Sequence, residues 1–260
     1  MELSFLATGI LCFFVFLAGF IDAAAGGGGL ISLPAYLIVG LPAHFAIGCN
    51  KFSATSGTTF SAIRFFKHGA VSKKIATISA VFAFVSSYFG MKLALSINQN
   101  ILKTALIVAL PFLAIILFLK QDFGSVDTSL NMSNKKAGLL AASVGCGIGF
   151  YDGLIGPGTG TFAIIAYSAL MNFDLKTASG NSKILNLASG YASVIAAITS
   201  GKVIYKIAIP AAVFGILGNF LGSGLAIKKG SKFIRPLILF VILLLCLKLI
   251  YDIFSVGRSL

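Results

Sequence analysis

Tryptophan is absent from this 260-residue chain, and only seven residues are acidic against 20 lysines and arginines. Charged residues make up 10% of the sequence and hydrophobic ones 58%, whereas soluble domains hold about 25% charged and 45–50% apolar residues. That scarcity of charge excludes a water-soluble globular domain. With no tryptophan, an interfacial aromatic belt would have to be built from the seven tyrosines and from phenylalanine. Cysteine is also sparse: Cys12, Cys49, Cys146 and Cys246 stand singly in apolar segments. With no CxxC or Cys/His spacing they suggest neither a metal site nor a disulfide framework, and they read as small core residues. No cofactor or nucleic-acid partner is called for. His44 and His68 stand alone near predicted loops and read as interfacial.

What the chain does have is apolar length, with a mean hydropathy of +1.00. The runs 3–21, 75–95, 101–119, 207–227 and 237–254 match the roughly 17–25 residues of a bilayer-spanning helix. Shorter candidates are 30–47, 52–66, 137–151, 161–173 and 184–199. These runs are continuous rather than alternating, which argues against transmembrane strands and leaves helices as the spanning structure. The first run ends at Ala23-Ala24-Ala25, like a signal-peptide cleavage site, but no lysine or arginine precedes it and its pattern recurs mid-chain. It is expected to be the first helix of the mature protein. The predicted fold is an all-α polytopic protein of the cell membrane, with the lipid bilayer as its first partner.

The chain also repeats itself. Asp152 follows Asp22 by 130 residues, and beyond the adjacent glycine-rich stretches the offset settles at 132. At that offset Gly48 matches Gly180, Lys51 matches Lys183, Gly90 matches Gly222, Ala94 matches Ala226 and Lys103 matches Arg235. The stretch GAVSKKI from Gly69 matches GKVIYKI from Gly201. A register held over so many positions marks an internal duplication. The first membrane repeat is read as 1–119, a cytoplasmic linker as 120–136, and the second repeat as 137–260.

Basic residues then orient the halves. Arg64, Lys67, Lys73 and Lys74 crowd one loop of the first half, and its counterpart keeps only Lys202 and Lys206. In the next loop the second half is the rich one, with Lys228, Lys229, Lys232 and Arg235. The positive-inside rule puts both rich loops in the cytoplasm. The expectation is two inverted repeats of about five short or full transmembrane helices each, interrupted by glycine-rich breaks. Three crossings plus a re-entrant pair per half would serve the same parity. Inverted repeats with broken helices characterise secondary transporters, whose sites lie near the bilayer midplane between the repeats.

Three sets of polar residues fall inside this apolar sequence. Asp22 and Asp152 each end an apolar run; intramembrane carboxylates are costly and read as functional, for ion coupling or for structuring a loop. A purely structural role as helix-end or capping groups is the alternative. The glycine loops 26–29 and 156–160, the latter with Pro157, break the helix. Helices restarting at Leu30 and Thr161 would present free N–H groups and a positive dipole end to an anion, with Gly28, Gly29, Gly158 and Gly160 closest. Close packing through small residues is the other reading. Finally, Asn50, Lys51, Ser53, Thr55, Ser56 and Gly57 answer Asn181, Ser182, Lys183, Asn186, Ser189 and Gly190, with Asn and Lys expected just before a short helix studded with Ser, Thr and Gly. Lysine, amide and hydroxyl donors suit an oxyanion, although lysines that merely snorkel to an interface would look similar.

With these segments, GFIDAAAGGGG and GFYDGLIGPGTG together with GCNK and GNSK, the chain resembles the TauE/SafE family, the sulfite exporter or toluene-sulfonate uptake permease family, over essentially its whole length. The resemblance implies a plasma-membrane carrier of small organosulfonates or related sulfur oxyanions. The expected partner is therefore a small anionic substrate, with a proton or a sodium ion as coupling ion and no enzymatic activity. An anion channel is an alternative. An intramembrane aspartyl protease is a weaker one, because the Gly-x-Gly-Asp sequence it needs is missing around Asp152.

Overall fold

The computed structural model of the chain describes residues 3–98, 127, 129 and 132–256. All elements among them are helices: α1 Phe5–Ala25, α2 Gly29–Ile38, α3 Ala43–Lys67, α4 Lys73–Ser96, α5 Asn134–Leu154, α6 Thr159–Met171, α7 Leu175–Thr199, α8 Tyr205–Lys229 and α9 Ser231–Val256. The predicted run 101–119, Lys103 and most of the linker lie outside the described residues, as does the side chain of Cys246. The all-α membrane fold expected from the sequence is the one observed. Helices α1, α4, α5 and α8 are each long and apolar enough to cross a membrane. Together with the outward-facing phenylalanines and leucines of α1, α4 and α8, among them Phe5, Phe13, Phe89, Phe214 and Leu221, they make this a multi-pass membrane protein. An exposed apolar surface of that kind is stable only against lipid.

Two expectations need correction. The candidates 30–47 and 52–66 are not two helices split near residue 50. The chain instead turns at residues 39–42, and Asn50 and Lys51 lie in the interior of the 25-residue α3. In the same way, Asn181 and Lys183 lie inside the 25-residue α7 rather than ahead of a short helix. The helix tolerates this polar stretch because its hydroxyls bond back to carbonyls of the preceding turn. Ser56 Oγ donates to Phe52 O at 2.8 Å, and Thr59 Oγ1 donates to Thr55 O at 2.8 Å. The restarting helices α2 and α6 have 10 and 13 residues. At 1.5 Å per residue they reach about 15–20 Å, roughly half of the ~30 Å hydrocarbon core.

Glycines bring the long helices together. A methyl group on Gly218 of α8 would lie 2.1 Å from Phe16 O of α1, and one on Gly153 of α5 would lie 2.1 Å from Ser87 O of α4. Contact this close is the small-residue packing expected where no hydrophobic effect drives helices together. The pairings α1 with α8 and α3 with α8 have the counterparts α5 with α4 and α7 with α4, which the 130–132 residue offset interchanges. Gly48, near the start of α3, packs on Lys202 just beyond the end of α7. Gly180, near the start of α7, packs on Ala70 just beyond the end of α3. Helices α3 and α7 therefore run antiparallel. Arg64 of α3 stacks on the ring of Phe220 at 4.2 Å and donates to its carbonyl. This contact sets the C-terminal end of α3, with Lys67, beside the end of α8 that carries Lys228 and Lys229.

Candidate functional site

Both glycine loops meet at the centre of the molecule. Gly26, left-handed with φ 77°, ends α1. Gly156 and Gly158, with φ 89° and 83°, carry the chain from α5 into α6. The conformation excludes side chains at these turns, and the contact excludes them at Gly160: a methyl group there would lie 2.4 Å from Cα of Gly26. Gly160 N–H donates to Gly26 O at 3.1 Å, Thr161 Oγ1 donates to Ala25 O at 2.6 Å, and Ser179 Oγ donates to Ala24 O at 3.0 Å. Second-half groups thus satisfy carbonyls that the break of α1 leaves open.

Asp22 and Asp152 sit in the last turns of α1 and α5, and each is met by the lysine of the opposite half. Lys51 Nζ lies 2.8 Å from Asp152 Oδ2 and also donates to the Asp152 backbone carbonyl. Lys183 Nζ lies 2.8 Å from Asp22 Oδ2 and donates to the Asp22 carbonyl. The repeat offset relates the two pairs to each other. Each ties one central helix, α3 or α7, to the glycine break of the other half. From the sequence, the lysines read as free positive charge and the aspartates as a separate feature. The signal it passed over was numerical: two aspartates and two lysines in matching positions of two copies, where a lone buried charge would be very costly.

The two pairs are unequal in their surroundings. Lys51 and Asp152 line a cavity of about 60 Å³, together with Asp22, Gly26, Gly29, Asn50, Thr55, Thr58, Gly156, Thr159, Gly160, Asn186 and others. Lys183 does not reach it. Its side chain is 0% exposed, behind Asp22 at 18%. Asp152 Oδ2 also accepts from Ser189 Oγ at 2.7 Å, and Asp22 Oδ1 accepts from Gly28 N–H at 3.4 Å.

Of the sequence candidates, then, Asp22, Gly29, Asn50, Lys51, Thr55, Asp152, Gly160 and Asn186 share one cavity. Gly28 and Ser53 line a smaller one of about 30 Å³ next to it, with Asp22 and Asn219. Ser53 Oγ accepts from Tyr36 OH at 2.8 Å and donates to Asn50 O. Asn181 is fully buried elsewhere, its Oδ1 accepting from Ser72 N–H at 2.8 Å between α7 and the turn before α4. Gly158 is the N-cap of α6 and lies outside the cavity lining. Thr58 and Thr159 also line the cavity that holds Lys51, and the buried Asn219 lines the smaller one, although no sequence motif marks them. Asn219 sits in α8, four residues from Gly215, to whose carbonyl it donates at 3.1 Å, and as a lone amide in an apolar helix it belongs to no motif.

The N-termini of α2 and α6, at Gly29 and Thr159, open on the cavity that holds Lys51 and Asp152. Each contributes roughly half a positive elementary charge. The cavity therefore combines two helix ends, one ion pair, hydroxyls and amides, with net charge held near balance by the aspartates.

A family model described as "Sulfite exporter TauE/SafE" matches residues 11–249. Among curated relatives, the "Probable membrane transporter protein YfcA" of Escherichia coli K12 is 34% identical over 247 residues, covering 95% of this chain and 91% of that protein. A "Probable membrane transporter protein" of Haemophilus influenzae is 32% identical, covering 91% and 92%. The "Probable membrane transporter protein ORF9" of a Sinorhizobium species is 32% identical, covering 96% and 95%. No solved structure gives a significant match.

Proposed function

Because the chain belongs to the TauE/SafE family of membrane transporters, we propose that it is an ion-coupled secondary carrier of small oxyanions, of the organosulfonate or sulfite type. The observation that carries this reading is the central cavity, where Lys51 and the positive ends of α2 and α6 converge. A desolvated oxyanion needs several donors at once, and helix N-termini supply them without a full charge. About 60 Å³ is roughly four to six times the volume that one water needs on the same measure, which suits a small anion. The antiparallel course of α3 and α7 and the exchange of helix pairings between the halves support inverted repeats, with both basic loops cytoplasmic.

The crossed glycine loops support a carrier over a channel, since the Gly26–Gly160 contact obstructs a continuous pore between the halves. Counterflow in proteoliposomes tests the reading. Vesicles loaded with unlabelled ethanesulfonate or sulfite should take up the labelled anion faster than empty vesicles, and carboxylates of similar size should compete poorly. Uptake that fails to saturate, or that is indifferent to internal anion, would contradict a carrier.

A further inference from the structure

We propose that Asp152 is the proton-binding site that couples transport, taking up one proton for each anion engaged by Lys51, a role that rests on the anion-carrier reading above and gives it a coupling ion. Lys51 has a counter-ion within the protein, the Asp152 carboxylate at 2.8 Å. An anion entering the cavity must displace that carboxylate from the ammonium. Asp152 is 8% exposed, so a carboxylate left there without its partner is an uncompensated buried charge. A proton removes that charge. The Lys51 N–H contact to Asp152 Oδ2 breaks, an N–H contact to the anion forms, and a proton from water attaches to the carboxylate. The loaded site then holds one ammonium, one anion and one neutral acid, the same net charge as the empty site.

The surroundings of Asp152 fit this exchange. Lys51 Nζ also donates to the Asp152 backbone carbonyl, a bond that survives protonation and keeps the ammonium at the cavity. Ser189 Oγ, 2.7 Å from Oδ2, donates to the carboxylate and, by rotating its hydroxyl, accepts from the acid. The other ionisable groups nearby are Tyr151 on α5 itself, Asp22 of α1 across the cavity, and Lys183 of α7 held on Asp22. From α6 the only such group is Tyr167. The lysines of α4 are engaged near its ends: Lys73 lies over Phe66, Lys74 donates to Asn134, and Lys92 lies over Tyr88. Asp22 fills the role less well, because its lysine is sealed from the cavity and an anion there cannot displace the carboxylate from it.

The test uses purified protein in liposomes with the membrane potential clamped at zero by potassium and valinomycin. The probe is labelled ethanesulfonate, whose own charge is fixed across the pH range. An outside pH one unit more acid should drive accumulation toward a tenfold inside-to-outside ratio, the limit for one proton per anion. Without a gradient, a trapped pH dye should record one proton entering per anion. Asp152→Asn should lose the acid-driven accumulation and Asp152→Glu should regain part of it. Uptake with no proton entry, accumulation driven by a sodium gradient at constant pH, or tenfold accumulation by Asp152→Asn would each overturn the assignment while leaving the carrier intact. Absence of uptake of any anion by the wild type would overturn both. If Asp152→Asn does not fold, Asp152→Glu takes its place: one proton per anion in the wild type with reduced accumulation by Asp152→Glu upholds the assignment, and a count of zero, or accumulation by Asp152→Glu equal to the wild type's, overturns it.

Discussion

Replacing Lys183 with methionine keeps the length and apolar stem of the side chain but leaves the Asp22 carboxylate without its ammonium. The pair is closed from solvent on the lysine side, with exposures of 0% and 18%, so water reaches the carboxylate only from the cavity and replaces the ammonium poorly. Removing one partner of a buried pair costs about 3–5 kcal/mol. At roughly 2–4 °C per kcal/mol for a chain of this size, the unfolding midpoint in detergent should fall by about 6–20 °C. Neutralising the orphan as well, in Lys183→Met/Asp22→Asn, should restore most of the loss, because no buried charge is then left uncompensated. Thermal unfolding followed by the loss of the monodisperse peak in size-exclusion chromatography measures both. A Lys183→Met midpoint within about 2 °C of wild type, or a double variant no more stable than the single one, would refute the latch between α7 and the break of α1.

Three further outcomes follow from the packing. Gly160→Ala should separate the crossed loops, since the added methyl would meet Gly26 Cα at 2.4 Å; loss of transport should accompany a destabilisation of about 1–3 kcal/mol, and normal counterflow would count against the loop contact. Arg64→Ala removes a guanidinium stacked on Phe220 and should cost about 0.5–2 kcal/mol, read as a drop in the unfolding midpoint. Cysteines at 67 and 232 should both react with impermeant reagent only from the cytoplasmic face, and labelling of either from outside would contradict the inverted arrangement.

The long apolar runs made α1, α4, α5 and α8 legible, because hydropathy over some twenty residues is set by the bilayer itself. The glycine breaks were legible as well, since Gly26, Gly156 and Gly158 adopt the left-handed turns that only glycine takes freely. The boundaries of α3 and α7 were not. Asn50-Lys51 and Asn181-Ser182-Lys183 read as the ends of apolar elements, yet the helices run through them. Near Asn50 the hydroxyls of Ser53 and Ser56 bond back to the previous turn, and near Asn181 those of Ser179 and Ser182 donate to carbonyls of the glycine breaks. The site was half legible. Offsets of 130 and 132 residues match Asp22 with Asp152 and Lys51 with Lys183, but a register says which residues correspond, not which ones touch. The crossing of each lysine to the opposite half is a property of how the halves pack, and it separates Lys51, at the cavity, from Lys183 behind Asp22. Asn219 was silent because a lone amide in an apolar helix carries no spacing to read.

The anion should bind against Lys51 in the cavity between the halves, and a binding titration of purified protein measures this. The variant Lys51→Met/Asp152→Asn removes the pair without leaving a buried charge, so its fold should survive. Its affinity for ethanesulfonate should fall by about 10- to 150-fold, the equivalent of roughly 1.5–3 kcal/mol for a hydrogen bond to a charged group. A folded double variant that binds the sulfonate as tightly as the wild type would contradict the account.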